Sequence, residues 1–96
     1  MTVHELLSTR RNDILNIAAK HGARNVRVFG SAARGDADEQ SDIDLLVDME
    51  PGRSLLDMGG LIMDLEALLD RNVDVVTENG LYWLLRRRVL REATPL

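Results

Sequence analysis

The sequence has no cysteine. Disulfides and thiolate metal sites are therefore excluded, and the absence fits a reducing, cytoplasmic setting. No apolar run approaches the roughly 20 residues needed to cross a bilayer. The first residues lack the basic segment and apolar stretch of a secretory signal. A membrane role is not expected. Lysine occurs once, at Lys20, so arginine carries nearly all of the positive charge. The formal net charge is −4. A generic DNA or RNA binder would be basic, because phosphate contacts dominate such affinity, and direct nucleic-acid binding is not expected here. There is no internal repeat and no low-complexity stretch.

What is present fits one small folded domain over residues 1–96. The 96 residues are 45% apolar, enough for a modest core without disulfide support. Thr2 and Glu5 have capping-box spacing, and Val3, Leu6, Leu7, Ile14, Ile17, Ala18 and His21 recur at helical intervals. A helix over 2–21, ended by Gly22, is predicted. Asn25 to Phe29 read as a strand. Gly30 to Ser41 read as a turn with a short helix near its start. Ile43 to Val47 form a second strand, broken by Pro51 and Gly52. Ser54 and Asp57 start a helix whose stripe runs Leu55, Met58, Leu61, Ile62, Leu65, Leu68 and Leu69. Gly59 and Gly60 weaken it. Val73 to Val76 make a third strand, and Leu81 to Arg91 a last helix, with Pro95 beyond. A three-stranded sheet with helices on one face accounts for this order.

The chemistry lies in G-S-A-A-R-G-D-A-D-E-Q-S-D-I-D, Gly30 to Asp44. Side chains alternate along a strand, so Asp42 and Asp44 are expected on one face and Ile43 and Leu45 on the other. Two adjacent carboxylates repel unless one is protonated or a cation sits between them. Mg²⁺ takes one or two carboxylates plus substrate phosphates. Gly30 permits close backbone approach to a ligand, and Ser31 adds a hydroxyl donor at the start of a short helix. Ser31 also suits a simple helix cap. Asp74 faces away from Val73 and Val75. If its strand pairs beside the second, it joins Asp42 and Asp44, and three carboxylates could hold two metal ions. Two rival motifs fail. The P-loop would need lysine and serine or threonine at Asp36 and Ala37, and the EF-hand would need glycine and glutamate at Ser41 and Val47.

Gly30-Ser31, ten residues, then Asp42-Ile43-Asp44 resembles the nucleotidyltransferase signature of the DNA polymerase β superfamily. The fuller string, G-S-A-A-R-G ahead of S-D-I-D-L-L-V, is similar to its small branch of minimal nucleotidyltransferases, found beside HEPN-domain toxins. The resemblance extends from about Val26 to the terminal R-V-L-R-E-A. It implies a small α/β nucleotidyltransferase fold with a short mixed three-stranded sheet. It implies transfer of AMP from ATP, or of another nucleotide from its triphosphate, to a hydroxyl of a partner protein. Relatives in that branch are antitoxins that act on a tyrosine of the HEPN toxin. In the family pattern Gly30 and Ser31 hold the triphosphate, Asp42 and Asp44 bind Mg²⁺, and Asp74 completes the site. A non-catalytic antitoxin, neutralising its toxin by contact alone, is the alternative, and a regulatory nucleotide sensor a third reading.

Other residues have simpler expectations. Arg34 is placed to contact the triphosphate or pyrophosphate, or equally to pair with Asp36 or Asp38. Asp36, Asp38 and Glu39 read as a solvated loop, and Asp48 as a surface residue. His4 and His21 read as surface or boundary residues, and Met58 and Met63 as packing residues. Arg86, Arg87, Arg88 and Arg91 suit a helix C-terminus or a docking surface, and Tyr82 and Trp83 a docking edge.

Overall fold

The computed structural model describes residues 2–38, 40–81 and 83–96; the expectations for Glu39 and Tyr82 lie outside them. Two helices form in place of the expected one, α1 (Val3–Thr9) and α2 (Arg11–Lys20). Thr2 caps α1 by accepting from the Glu5 N–H at 3.1 Å. The break falls at Arg10, inside the stretch between Leu7 and Ile14 that offers no apolar side chain to continue the stripe. Val3 and Leu7 share a core with Ile14 and Ala18 across this break. Gly22, at φ 78°, follows α2.

Strand β1 (Ala23–Phe29) starts two residues before the expected Asn25. Its register shifts between Arg24 and Arg27, where Asn25 adopts φ 52°. Asparagine tolerates this left-handed conformation better than most residues. A single turn, α3 (Ser31–Arg34), follows, then β2 (Ile43–Met49) and α4 (Leu55–Leu69). A reciprocal capping box starts α4: the Leu56 N–H donates to Ser54 Oγ at 3.2 Å, and the Ser54 N–H to Asp57 Oδ2 at 2.9 Å. β3 (Val73–Val76), a short 3₁₀ turn (Glu78–Gly80), α5 (Trp83–Glu92) and β4 (Thr94–Pro95) complete the chain.

The sheet has four strands, not three, in the order β3-β2-β1-β4. β2 runs antiparallel to β1 and parallel to β3, and β4 runs antiparallel to β1. The extra strand is two residues long, with Thr94 opposite Val28 and Pro95 opposite Arg27. Proline is tolerated there because β4 lies at the sheet edge.

Val26, Val28, Ile43, Leu45, Val47, Val73 and Val75 supply the sheet side of the main core, and α1, α2 and α4 cover it. α5 takes no part in that core: its buried residue, Val89, lies outside the cluster, as does the wholly buried Leu46. Alternation turns Leu46 to the opposite side of β2. Arg27, paired with Leu46, donates to Glu78 at 3.1 Å, and Glu78 lies 3.8 Å from Arg86 of α5. The helices are thus not confined to one face, because α5 is tied to the side that Leu46 and Arg27 occupy. No described helix is long and apolar enough to cross a membrane.

Candidate active site

The strand ladder brings two of the predicted acidic residues together. Asp44 is in register with Asp74 across the parallel β2–β3 pair, and with Phe29 across the antiparallel β1–β2 pair. Core packing of Ile43, Leu45, Val73 and Val75 sends both carboxyl groups to the other face. Asp74 is exposed and Asp44 half-buried. The Asp44 carboxyl is pushed up to about 6, first by loss of solvent and then by the negative charges of Asp74 and Asp42. A hydrogen bond with Asp74 favours the neutral form further, and Arg34 acts in the opposite direction.

Gly30 follows Phe29 and so lies beside Asp44. Its backbone adopts φ 71° and ψ −149°, and a Cβ there would overlap Asp44 Oδ2. No larger residue could bring the turn this close to the carboxyl. Ser31 then opens α3, whose first-turn N–H groups lack carbonyl partners within the helix. Phosphate oxygens would satisfy such donors.

Asp42 lies just outside β2, exposed, and lines a polar cavity with Glu66, Asp70 and Arg71. Its charge still reaches Asp44. Among the described residues no three acidic or histidine side chains converge into a cage for a metal ion. The donors are nonetheless hard carboxylate oxygens, two of them side by side. Mg²⁺ needs only one or two carboxylates when phosphates and water supply the rest. The residues present therefore fit that ion better as an open site than as a closed one.

The nucleotidyltransferase domain model matches residues 11–96. The chain belongs to this family. Among relatives of this nucleotidyltransferase, protein adenylyltransferase MntA of Thermococcus cleftensis is 40% identical over 92 residues, covering 96% of this chain and 93% of the relative. A solved structure provisionally named a minimal nucleotidyltransferase is 55% identical, with a TM-score of 0.88, and covers 100% of this chain and 97% of its own. A crystal structure of a toxin–antitoxin with AMP-PNP shares the fold at 23% identity, with a TM-score of 0.74, covering 88% of this chain and 69% of its own. The α/β nucleotidyltransferase fold with a mixed sheet is thereby established.

Arg34 reaches two carboxylates, Asp36 at 3.4 Å and Glu92 of α5 at 3.3 Å. Glu92 carries no signal in the sequence, since its contact bridges 58 positions along the chain. Asp48 accepts from Asn25 and Arg27, which fits its expected surface role. The signal for Arg27 was visible: it alternates with buried Val26 and Val28. His21 packs at the boundary, with Nε2 2.6 Å from Asp64 Oδ2. Met58 packs against the core, but Met63 is 71% exposed and Leu55 88% exposed, contrary to the packing roles read for both. Leu55 is the first residue of α4, and Met63 lies off the buried Leu61–Leu65–Leu69 line.

Proposed function

We propose that this nucleotidyltransferase transfers AMP from ATP to a hydroxyl of a partner protein, as the antitoxin of a HEPN-domain toxin. The observation that carries the reading is the pairing of Asp44 with Asp74 beside the Gly30–Ser31 turn. Phosphate donors at one edge and carboxylate oxygens at the other suit a reaction centred on the α-phosphate.

Gly30 and Ser31 hold the triphosphate through N–H and hydroxyl groups, and Arg34 draws the β- and γ-phosphates or the departing pyrophosphate. Asp42, Asp44 and Asp74 would hold Mg²⁺, as a pair of ions. Bound Mg²⁺ supplies charge neutralisation and alignment of the attacking and leaving oxygens. The acceptor oxygen forms a bond to the α-phosphorus. The bond from that phosphorus to the β-phosphate oxygen breaks, and pyrophosphate leaves with the electron pair. Asp74, which is open to the acceptor, aligns the metal or takes up the hydroxyl proton, while Asp44 is held deeper.

Charge and the named relatives support a protein acceptor. The net charge of −4 disfavours a nucleic acid in that place. The relative named protein adenylyltransferase and the fold shared with an AMP-PNP-bearing toxin–antitoxin support the same direction. Residues 1–96 act in this reading as one catalytic domain in the cytoplasm, and Trp83 with the arginines of α5 forms the docking edge.

The test is to mix the protein, ATP and Mg²⁺ with its HEPN partner and weigh both chains by intact mass spectrometry. AMP should be added to a tyrosine of the partner, and the Asp42→Asn, Asp44→Asn double variant should add none. Toxin neutralisation in a tight complex without any gain in mass would replace this reading with that of a pure binding module.

A further inference from the structure

Arg71 stands in the connection between α4 and β3, outside the set of residues given a role above. Its Nη2 donates to two main-chain carbonyls of the loop that leads into β2: that of Asp38 and, at 2.8 Å, that of Ser41. The loop is also fastened to itself. Asp38 Oδ1 accepts from the Gln40 N–H at 2.9 Å and from Ser41 Oγ at 3.0 Å, and Ser41 Oγ accepts from the Asp38 N–H at 3.0 Å. Two residues beyond Ser41, the Ile43 N–H donates to the Asn72 carbonyl at 3.0 Å, where β2 and β3 begin to pair. Arg71 and Asp42 line the same polar cavity.

The Arg71 Nε is buried without a hydrogen-bond partner among the described residues. Burying an unpaired donor is unfavourable, so an arginine serving only as surface charge would be expected to leave it in water. Here the guanidinium is drawn in by its carbonyl contacts.

The geometry points to Arg71 as a positioning residue for the metal-binding carboxylates: it fixes the main chain immediately before Asp42, and thereby how Asp42 is presented beside Asp44. This rests on the reading of Asp42 and Asp44 as Mg²⁺ ligands. Mg²⁺ demands near-octahedral ligands at short range, so a loosened loop lowers affinity for the ion before it disturbs the core.

The experiment measures, by calorimetry, the Mg²⁺ concentration giving half-maximal binding of α,β-methylene-ATP, whose α–β linkage the transfer reaction cannot break. Arg71→Met should raise that concentration about tenfold, the lower end of what loss of an outer contact does to a metal site. Its melting midpoint without Mg²⁺ should stay close to that of the wild type. Arg71→Lys, with an ammonium group still able to donate to the two carbonyls, should need no more than about threefold extra Mg²⁺. A folded Arg71→Met protein with the wild-type Mg²⁺ requirement overturns the proposal. So does a fall in melting midpoint with that requirement unchanged, which would mark a purely structural arginine. Should Arg71→Met not fold, Ser41→Ala, which loosens the same loop from within, must raise the requirement, and an unchanged value there is equally fatal. A wild type that binds the analogue as well in EDTA removes the metal reading itself, and this inference with it.

Discussion

Asp44 holds its proton to about pH 6 because it is short of water and then crowded by Asp74 and Asp42. An ion ligated by this carboxylate must displace that proton, so Mg²⁺-dependent ATP binding should weaken as pH falls below about 6, and Asp74→Asn should move the fall to lower pH. The same shift has a consequence for folding. In the unfolded chain Asp44 ionises near its ordinary value of 3.8, whereas the folded chain retains the proton to about 6. The folded state therefore binds more protons between those values, and the contribution of Asp44 to stability falls as pH rises through them. Asp38, Asp57 and Asp64 act in the opposite sense, since hydrogen bonds hold their carboxyls below the usual range. Thermal melts of wild type and Asp44→Asn without metal, from pH 4 to 7, isolate the effect. The advantage of Asp44→Asn should grow with pH, and a constant difference would contradict it. Much of this residue-level picture could be read in advance. Strand alternation gave Asp44 and Asp74 their face, and the spacing from Gly30-Ser31 gave them their neighbour. The β2–β3 register could not be read, because it depends on pairing between distant segments. Arg71 was hidden for another reason: its partners are main-chain carbonyls, which no side-chain pattern encodes.

Among the elements, α4 carries the clearest conflict between local and tertiary demands. Two glycines in a helix interior are each unfavourable by about 1 kcal/mol against alanine. A Cβ on Gly59 would meet nothing within 4 Å, whereas one on Gly60 would come within 2.8 Å of His21 Cε1. The ring cannot easily yield, since it is held by Asp64 at 2.6 Å. Gly60 is thus the position at which the end of α2 nests against α4. Gly59→Ala should raise stability by up to about 1 kcal/mol through helix propensity. Gly60→Ala should lower it by about 1 kcal/mol or more, as overpacking outweighs the same gain. In a domain of this size, 1 kcal/mol shifts the melting midpoint by roughly 4–8 °C, well within calorimetric reach. Equal shifts of one sign for the two variants would show that the His21 contact does not matter. The helical stripes and caps were legible because they repeat within a few residues. The break at Arg10 and the two-residue β4 were not. Each is decided by where the segment must dock, and Thr94-Pro95 has no pattern of its own.

At the scale of the whole molecule, the Glu92 carboxylate joins the C-terminal helix to the nucleotide turn. Glu92 lies 3.3 Å from Arg34 of α3 and 3.2 Å from Arg88 of its own helix. Arg34 is also held by Asp36. If Arg34 is to grip a triphosphate, those phosphates compete with Glu92 for the same guanidinium, and ATP binding is coupled to the anchorage of α5. The coupling is modest, since a pair this exposed contributes about 0.2–1 kcal/mol. Glu92→Gln, which removes the competing charge while keeping a hydrogen-bonding group, should therefore lower the KM for ATP by up to about fivefold, the ratio that 1 kcal/mol commands. Arg34→Ala should raise that KM, and the double variant should behave as Arg34→Ala alone, because Glu92 acts on ATP only through Arg34. Steady-state rates of AMP transfer across an ATP series give all three values. A lower KM in Glu92→Gln that persists when Arg34 is absent would place the effect in bulk charge rather than in this link. An unchanged KM in Arg34→Ala would leave Arg34 as a strut between α3 and α5.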